Sequence, residues 1–160
     1  MKIALDLGHA RGTDARVNGI TERGVCAEVA RLLRERLREA GHEADIIDFP
    51  DESNAADLRK TAAAVNAGGY ELSVSLHCDC VKSTTACGAH VCYVSTGGKR
   101  LAKCIAKLLC ALLPGRAEQI VKRTNLYILN KTDCVAVLVE CGFISNEGDR
   151  TKLTLSLIHI

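Results

Sequence analysis

Three short apolar runs, each ending in a group that can bind a metal or move a proton, constrain this chain more than any other feature. Residues 2–7 lead into Gly8-His9, residues 71–76 into His77-Cys78-Asp79, and residues 135–139 into Glu140-Cys141-Gly142. The last run, Val-Ala-Val-Leu-Val, is continuous enough to read as a strand buried on both faces. Helix-length segments separate the runs. Val25, Val29, Leu32, Leu33 and Leu37 recur at helical spacing over 22–40, with Arg and Glu on the other face and Gly41 as a stop. A second helix is predicted from a Ser53 or Asn54 cap to Asn66, before Gly68-Gly69, and a third through Leu101, Ile105, Leu108 and Leu112, ended by Pro114-Gly115. Residues 43–49 and 88–95 read as further strands, 125–129 as a short strand or extended segment, and 10–21 as a loop. Strands alternating with long helices predict a single α/β domain: a mostly parallel or mixed twisted sheet of about five to six strands, with helices on both faces.

Composition removes several function classes. Lys and Arg number 21 against 19 Asp and Glu, a net charge of +2, and aromatics are 3% with no Trp. Neither the basic footprint nor the stacking platforms of a nucleic-acid binder are present. No apolar run approaches the ~20 residues of an integral membrane segment. Met1-Lys2 leads straight into Ile3-Ala4-Leu5 with no secretory signal pattern, so synthesis and folding are expected in the cytosol. Nine cysteines without repeated CxxC pairs fit reduced thiols, Cys104 and Cys110 expected as small buried apolar residues on a helix. Cys78, Cys80 and Cys87 only loosely approximate a structural zinc site. The end of the chain, 155–160, back-translates to a transposon end used as a sequencing adapter. The expected domain is therefore 1–154, with an adapter-derived tail and the natural C-terminus lost.

In open α/β sheets, ligands bind outside the carboxyl ends of the strands. Parallel neighbours would bring His9, His77 and Glu140 to one crevice, and Glu22, opening the first helix, would return a carboxylate to the same rim. Two imidazoles and a carboxylate with an open fourth position make a catalytic zinc set, and a second carboxylate would serve as general base toward water. Each residue also has a plainer role. Strand-end histidines often only bond backbone, and a Glu in a first helical turn complements the macrodipole. Glu140 is different, because a carboxylate straight after an apolar run is costly unless paired or functional. His42 reads as solvated, and His90 as a surface or rim residue. Lys122-Arg123 is either a solvated basic pair or positive charge for an anionic substrate.

Asp6-Leu7-Gly8-His9, Glu22-Arg23, Ser75-Leu76-His77-Cys78-Asp79 and Val139-Glu140-Cys141-Gly142-Phe143-Ile144-Ser145-Asn146 together resemble the zinc-dependent N-acetylmuramoyl-L-alanine amidases of the amidase-3 family. The resemblance runs over 2–150 and is most specific at 139–146, where that family reads V-E-x-G-F-x-S-N. It implies a single Zn²⁺ held by His9, Glu22 and His77, with Glu140 as the catalytic glutamate. Arg123 and Asn125 are implied at the substrate groove. The implied reaction is hydrolysis of the amide between N-acetylmuramic acid and the L-alanine of the stem peptide, with peptidoglycan or muropeptides as partner. Phage endolysins acting through holin pores and sporulation enzymes or autolysins released at lysis are the implied settings. Leu7 and Ala10 stand where the family favours Pro and Gly, and Cys78-Asp79-Cys80 where it favours Ala-Asn-Ala, which would put thiols beside the metal. Two alternatives share these residues: a non-catalytic zinc or peptidoglycan-binding domain, and a zinc peptidase or deacetylase acting on another amide. No oligomeric state is specified.

Overall fold

The computed structural model describes residues 1–155. The chain runs β1 (Lys2–Leu7), β2 (Arg16–Val17), β3 (Ile20–Thr21), α1 (Glu22–Glu39), β4 (Glu43–Ile47), α2 (Asn54–Ala67), β5 (Leu72–Asp79), β6 (His90–Tyr93), α3 (Thr96–Leu112), β7 (Ile120–Lys122), α4 (Tyr127–Lys131), β8 (Val135–Phe143) and α5 (Glu147–Leu155). Six strands form one sheet in the order β4-β1-β5-β8-β6-β7. β4, β1, β5 and β8 are parallel, β6 is antiparallel to β8, and β7 is parallel to β6. The expected single α/β domain with a mixed sheet is what the chain forms.

Capping residues set the helix ends. Thr21 accepts from the Gly24 N–H to start α1, Ser53 from Ala56 to start α2, and Ser95 from Gly98 to start α3. Two cores flank the sheet. Leu5, Val74, Leu76, Val137 and Val139 pack with Val25 and Ala30 of α1 and Ala102 and Ala106 of α3. Cys92, Ala136 and Leu138 pack on the other face with Ala62 of α2 and with Ile128 and Leu129 of α4. Helices thus cover both faces.

Local readings depart from the sequence in four places. The 10–21 loop contains the hairpin β2–β3, turned by Asn18 and Gly19 at φ 52° and 80°; an Asn-Gly pair suits a turn that needs two left-handed residues. Residues 125–129 are not a strand: Tyr127 begins α4, and the edge strand is β7, three residues long and too short to show a period. β5 and β8 continue past their apolar runs, so His77 and Glu140 stand within strands rather than after them. His90 is buried, 5% exposed, not at the surface. Of the suspected tail 155–160, Leu155 closes α5 and residues 156–160 lie outside the described ones.

Candidate metal centre

Each side chain of the candidate donor set comes from a different element at the carboxyl edge of β1 and β5. β1 ends at Leu7, and the Gly8 N–H donates to the Leu76 carbonyl at 3.0 Å, keeping the exit of β1 tight against β5. A Cβ on Gly8 would sit 2.2 Å from the His77 ring, so only glycine leaves that imidazole its place. His9 follows at φ 66°, a left-handed conformation that turns it back over the sheet edge. Arg23 holds this turn: its guanidinium donates to the His9 carbonyl at 2.6 Å and pairs with Asp48 at 2.5 Å. The Asn54 side chain accepts from the Ala10 N–H at 3.0 Å. His77 emerges from β5, and Glu22 opens α1 with 5% exposure.

His9 Nε2 and His77 Nδ1 both lie 3.2 Å from Glu22 Oε1, which also accepts the Cys78 N–H at 3.0 Å. The two rings meet edge-on, centroids 4.9 Å apart. Burial opposes charge on Glu22, but the hydrogen bonds from His77, His9 and the Cys78 amide outweigh it and hold the carboxyl at about 2. His77 is pulled down by burial and raised, on balance, by Glu22. One carboxylate oxygen and two imidazole nitrogens within 4.8 Å of one another fit a divalent zinc-type cation bound by three protein ligands with a position left over.

Glu140 stands beside this cluster. In the β5–β8 register it is directly opposite His77, on the same face of the sheet. Its Oε2 is buried and has no hydrogen-bond partner among the described residues. Burial, countered by His77 and reinforced by Asp79 and Glu22, raises its carboxyl to about 7. A carboxylate poised there can both take and return a proton near neutrality. Next to the cluster a cavity of about 310 Å³ is lined by His9, His77, Asp6, Asn125, Tyr127 and Leu138. Asn125 lines the cavity, and the exposed Arg123 donates its Nε–H to Asn125 Oδ1 at 3.2 Å.

The sequence placed His9, Glu22, His77 and Glu140 together, and they are together. It misplaced the thiols. Strand alternation turns Cys78 to the opposite face, where its sulfur lies 3.9 Å from that of Cys26, and among the described residues no thiol joins the ligand cluster. All nine cysteines are free thiols. The Arg23–Asp48 pair and the approach of Asp79 Oδ2 to His90 Nδ1 at 3.4 Å depend on the segment after β4 and on the register of neighbouring strands, neither of which leaves a periodic signal.

Residues 3–157 match the amidase-3 family, described as N-acetylmuramoyl-L-alanine amidases. The chain belongs to this family. The germination-specific N-acetylmuramoyl-L-alanine amidase of Bacillus subtilis is 28% identical, the alignment covering 94% of this chain and 70% of that protein. The N-acetylmuramoyl-L-alanine amidase LytC of the same organism is 29% identical over 94% of this chain and 31% of its own length. Among solved structures, the catalytic domain of the CD27L endolysin targeting Clostridia difficile superposes with a TM-score of 0.88 at 29% identity, covering 95% of this chain and 87% of that one. The CwlD amidase of Clostridioides difficile, solved with the GerS lipoprotein, shares the fold at a TM-score of 0.81 and 20% identity, over 96% of this chain and 87% of that one. This amidase has no helix, among the described residues, long and apolar enough to cross a membrane.

Proposed function

We propose that the protein is a zinc-dependent cell-wall amidase that hydrolyses the bond between the lactyl group of N-acetylmuramic acid and the L-alanine of the stem peptide. The observation that carries this reading is the juxtaposition of a His9–Glu22–His77 donor set with Glu140 directly opposite His77. When bound there, zinc would polarise the scissile carbonyl and acidify water, which an unactivated amide requires. Glu140 takes a proton from water as the water oxygen bonds to the lactyl carbonyl carbon. It passes that proton to the alanyl nitrogen as the C–N bond breaks. Burial keeps bulk water from competing for this proton. Asn125, with Arg123 hydrogen-bonded to it, is proposed to hold the substrate along the cavity wall.

A module that only bound zinc or glycan would have no use for Glu140, whose buried oxygen, without a partner among the described residues, is a standing cost. The test is mass spectrometry of purified peptidoglycan digested by zinc-loaded protein beside a chelated control. Free stem peptides beginning with L-alanine, absent from the control, are the expected result. Intact muropeptides from folded, zinc-loaded protein would reject the assignment.

A further inference from the structure

Beside the donor set, three buried polar atoms have no hydrogen-bond partner among the described residues: Glu140 Oε2, Asp79 Oδ2 and His90 Nδ1. Buried polar groups are nearly always paired, so three orphans in one place need a physical reason. They are neighbours across the sheet. Glu140 faces His77 of β5 on one side and His90 of β6 on the other. Residues directly opposite in an antiparallel pair carry their side chains on the same face, with Cβ atoms about 4.5–5.5 Å apart. Asp79, two residues beyond His77 and past an irregularity in the β5–β8 register, brings its Oδ2 to 3.4 Å from His90 Nδ1 without hydrogen-bond alignment. The His90 side chain is 6% exposed, as deep as a core residue.

We propose that Asp79 and His90 work as a pair that accepts the N–H of the scissile amide and holds the leaving nitrogen against Glu140. This rests on the amidase reading above. Asp79 beside Nδ1 selects the tautomer with the proton on that nitrogen, which leaves a lone pair on Nε2. Burial, with Arg116 and Arg123 nearby, pushes His90 down to about 4, so near neutrality the ring is uncharged and has an acceptor to offer. A separation of 3.4 Å between Asp79 and His90 is of the kind that tightens once substrate is in place. With the amide N–H bonded to Nε2, the nitrogen faces the Glu140 carboxyl. The proton Glu140 took from water then goes to that nitrogen, the C–N bond breaks, and the amine leaves with its original N–H still on His90. Glu140 is the catalytic base; His90 positions the substrate, and Asp79 positions His90.

An ester lacks the N–H, which provides a test that a merely structural role would not pass. Zinc-loaded wild type, His90→Leu, His90→Gln and Asp79→Ala are assayed on a muramoyl-L-alanyl peptide and on the depsipeptide in which L-lactate replaces L-alanine. His90→Leu is expected to lose about 10–100-fold in kcat on the amide, since a site built to bond an N–H is left with its partner unpaired. On the ester it should stay within about twofold of wild type, with zinc content unchanged. His90→Gln, whose side-chain carbonyl can still accept, should recover most of the amide rate. Asp79→Ala should show the same amide-selective loss, more weakly, and it reads the pair even if His90→Leu fails to fold. Equal losses on both substrates, or no loss on either, would overturn the proposal. A wild-type protein that is folded, zinc-loaded and inert on the amide would overturn the amidase reading itself, and this inference with it.

Discussion

The two faces of β5 and β8 are built by the same strands and do opposite things. Toward α1 and α3 they present Val74, Leu76, Cys78, Val137, Val139 and Cys141, all buried among apolar neighbours. Toward α2 and α4 the alternate positions carry Ser73, Ser75, His77 and Glu140. The first face supplies stability through burial, roughly 1.5–3 kcal/mol for each large side chain. The second gives some of that up: the Ser73 hydroxyl and a Glu140 oxygen are buried without partners among the described residues. Because side chains alternate along a strand, a single residue step separates structural from chemical work. Changes on the polar face should therefore damage chemistry without destabilising the fold, and changes on the apolar face should do the reverse.

The largest effects are expected at the proposed metal ligands. His77→Ala should lose zinc and hydrolysis together, read by metal analysis of the dialysed protein; retained stoichiometric zinc would break the ligand assignment. Glu140→Ala should keep its zinc and lose hydrolysis by about 10²–10⁴-fold, the usual range for a positioned general base. Near-normal turnover would remove Glu140 from the mechanism. Gly8→Ala sharpens the contrast, because the added Cβ would meet His77 Cε1 at 2.2 Å. Zinc affinity, followed by competition with a chelator, should fall while the melting temperature changes little.

On the apolar face, Leu5→Ala should cost about 2–5 kcal/mol in urea unfolding, the range for truncating a buried Leu. The folded fraction should bind zinc normally, since Leu5 is fully buried in the apolar cluster and faces away from the donors. The smallest effect is expected at Asp6, on the polar face, where burial outweighs the Ser75 hydrogen bond and raises the carboxyl from 3.8 to about 6. The native state then binds this proton more tightly than the unfolded chain. Stability from Asp6 accordingly falls as pH rises from 3.8 to about 6, and the cost is complete above that. In zinc-free protein Asp6→Asn should stabilise by up to roughly 3 kcal/mol at pH 7 and by much less at pH 4. An equal gain at both pH values would show that Asp6 carries no buried charge.

Much of the site was legible because its residues lie next to strong local signals. His9, His77 and Glu140 each stand at or just beyond an apolar run, which marks them as candidates, while Glu22, whose plainer role at a helix start is to complement the macrodipole, takes its place in the set from the family resemblance. The supports were not legible for a different reason. His90 stands opposite Glu140, fifty residues later in the chain and one strand away. Arg23 acts on a carbonyl fourteen residues earlier and on Asp48 in the segment after β4. Cys78 looked like a neighbour of the metal because it follows His77, and strand alternation sends it to the other face.

The sequence by itself determined the α/β class and the strands that carry the candidate donors, which follow from periodicity and capping, while the family resemblance singled out the four candidate site residues. Only the tertiary structure decided the antiparallel placement of β6, the left-handed turn at His9 that gathers the donors around one oxygen of Glu22, and the register that sets Glu140 between His77 and His90. Those are choices among strand pairings of similar local energy. They are settled by which pairing buries the apolar clusters on both sides of the sheet at once, a condition no short stretch of sequence contains.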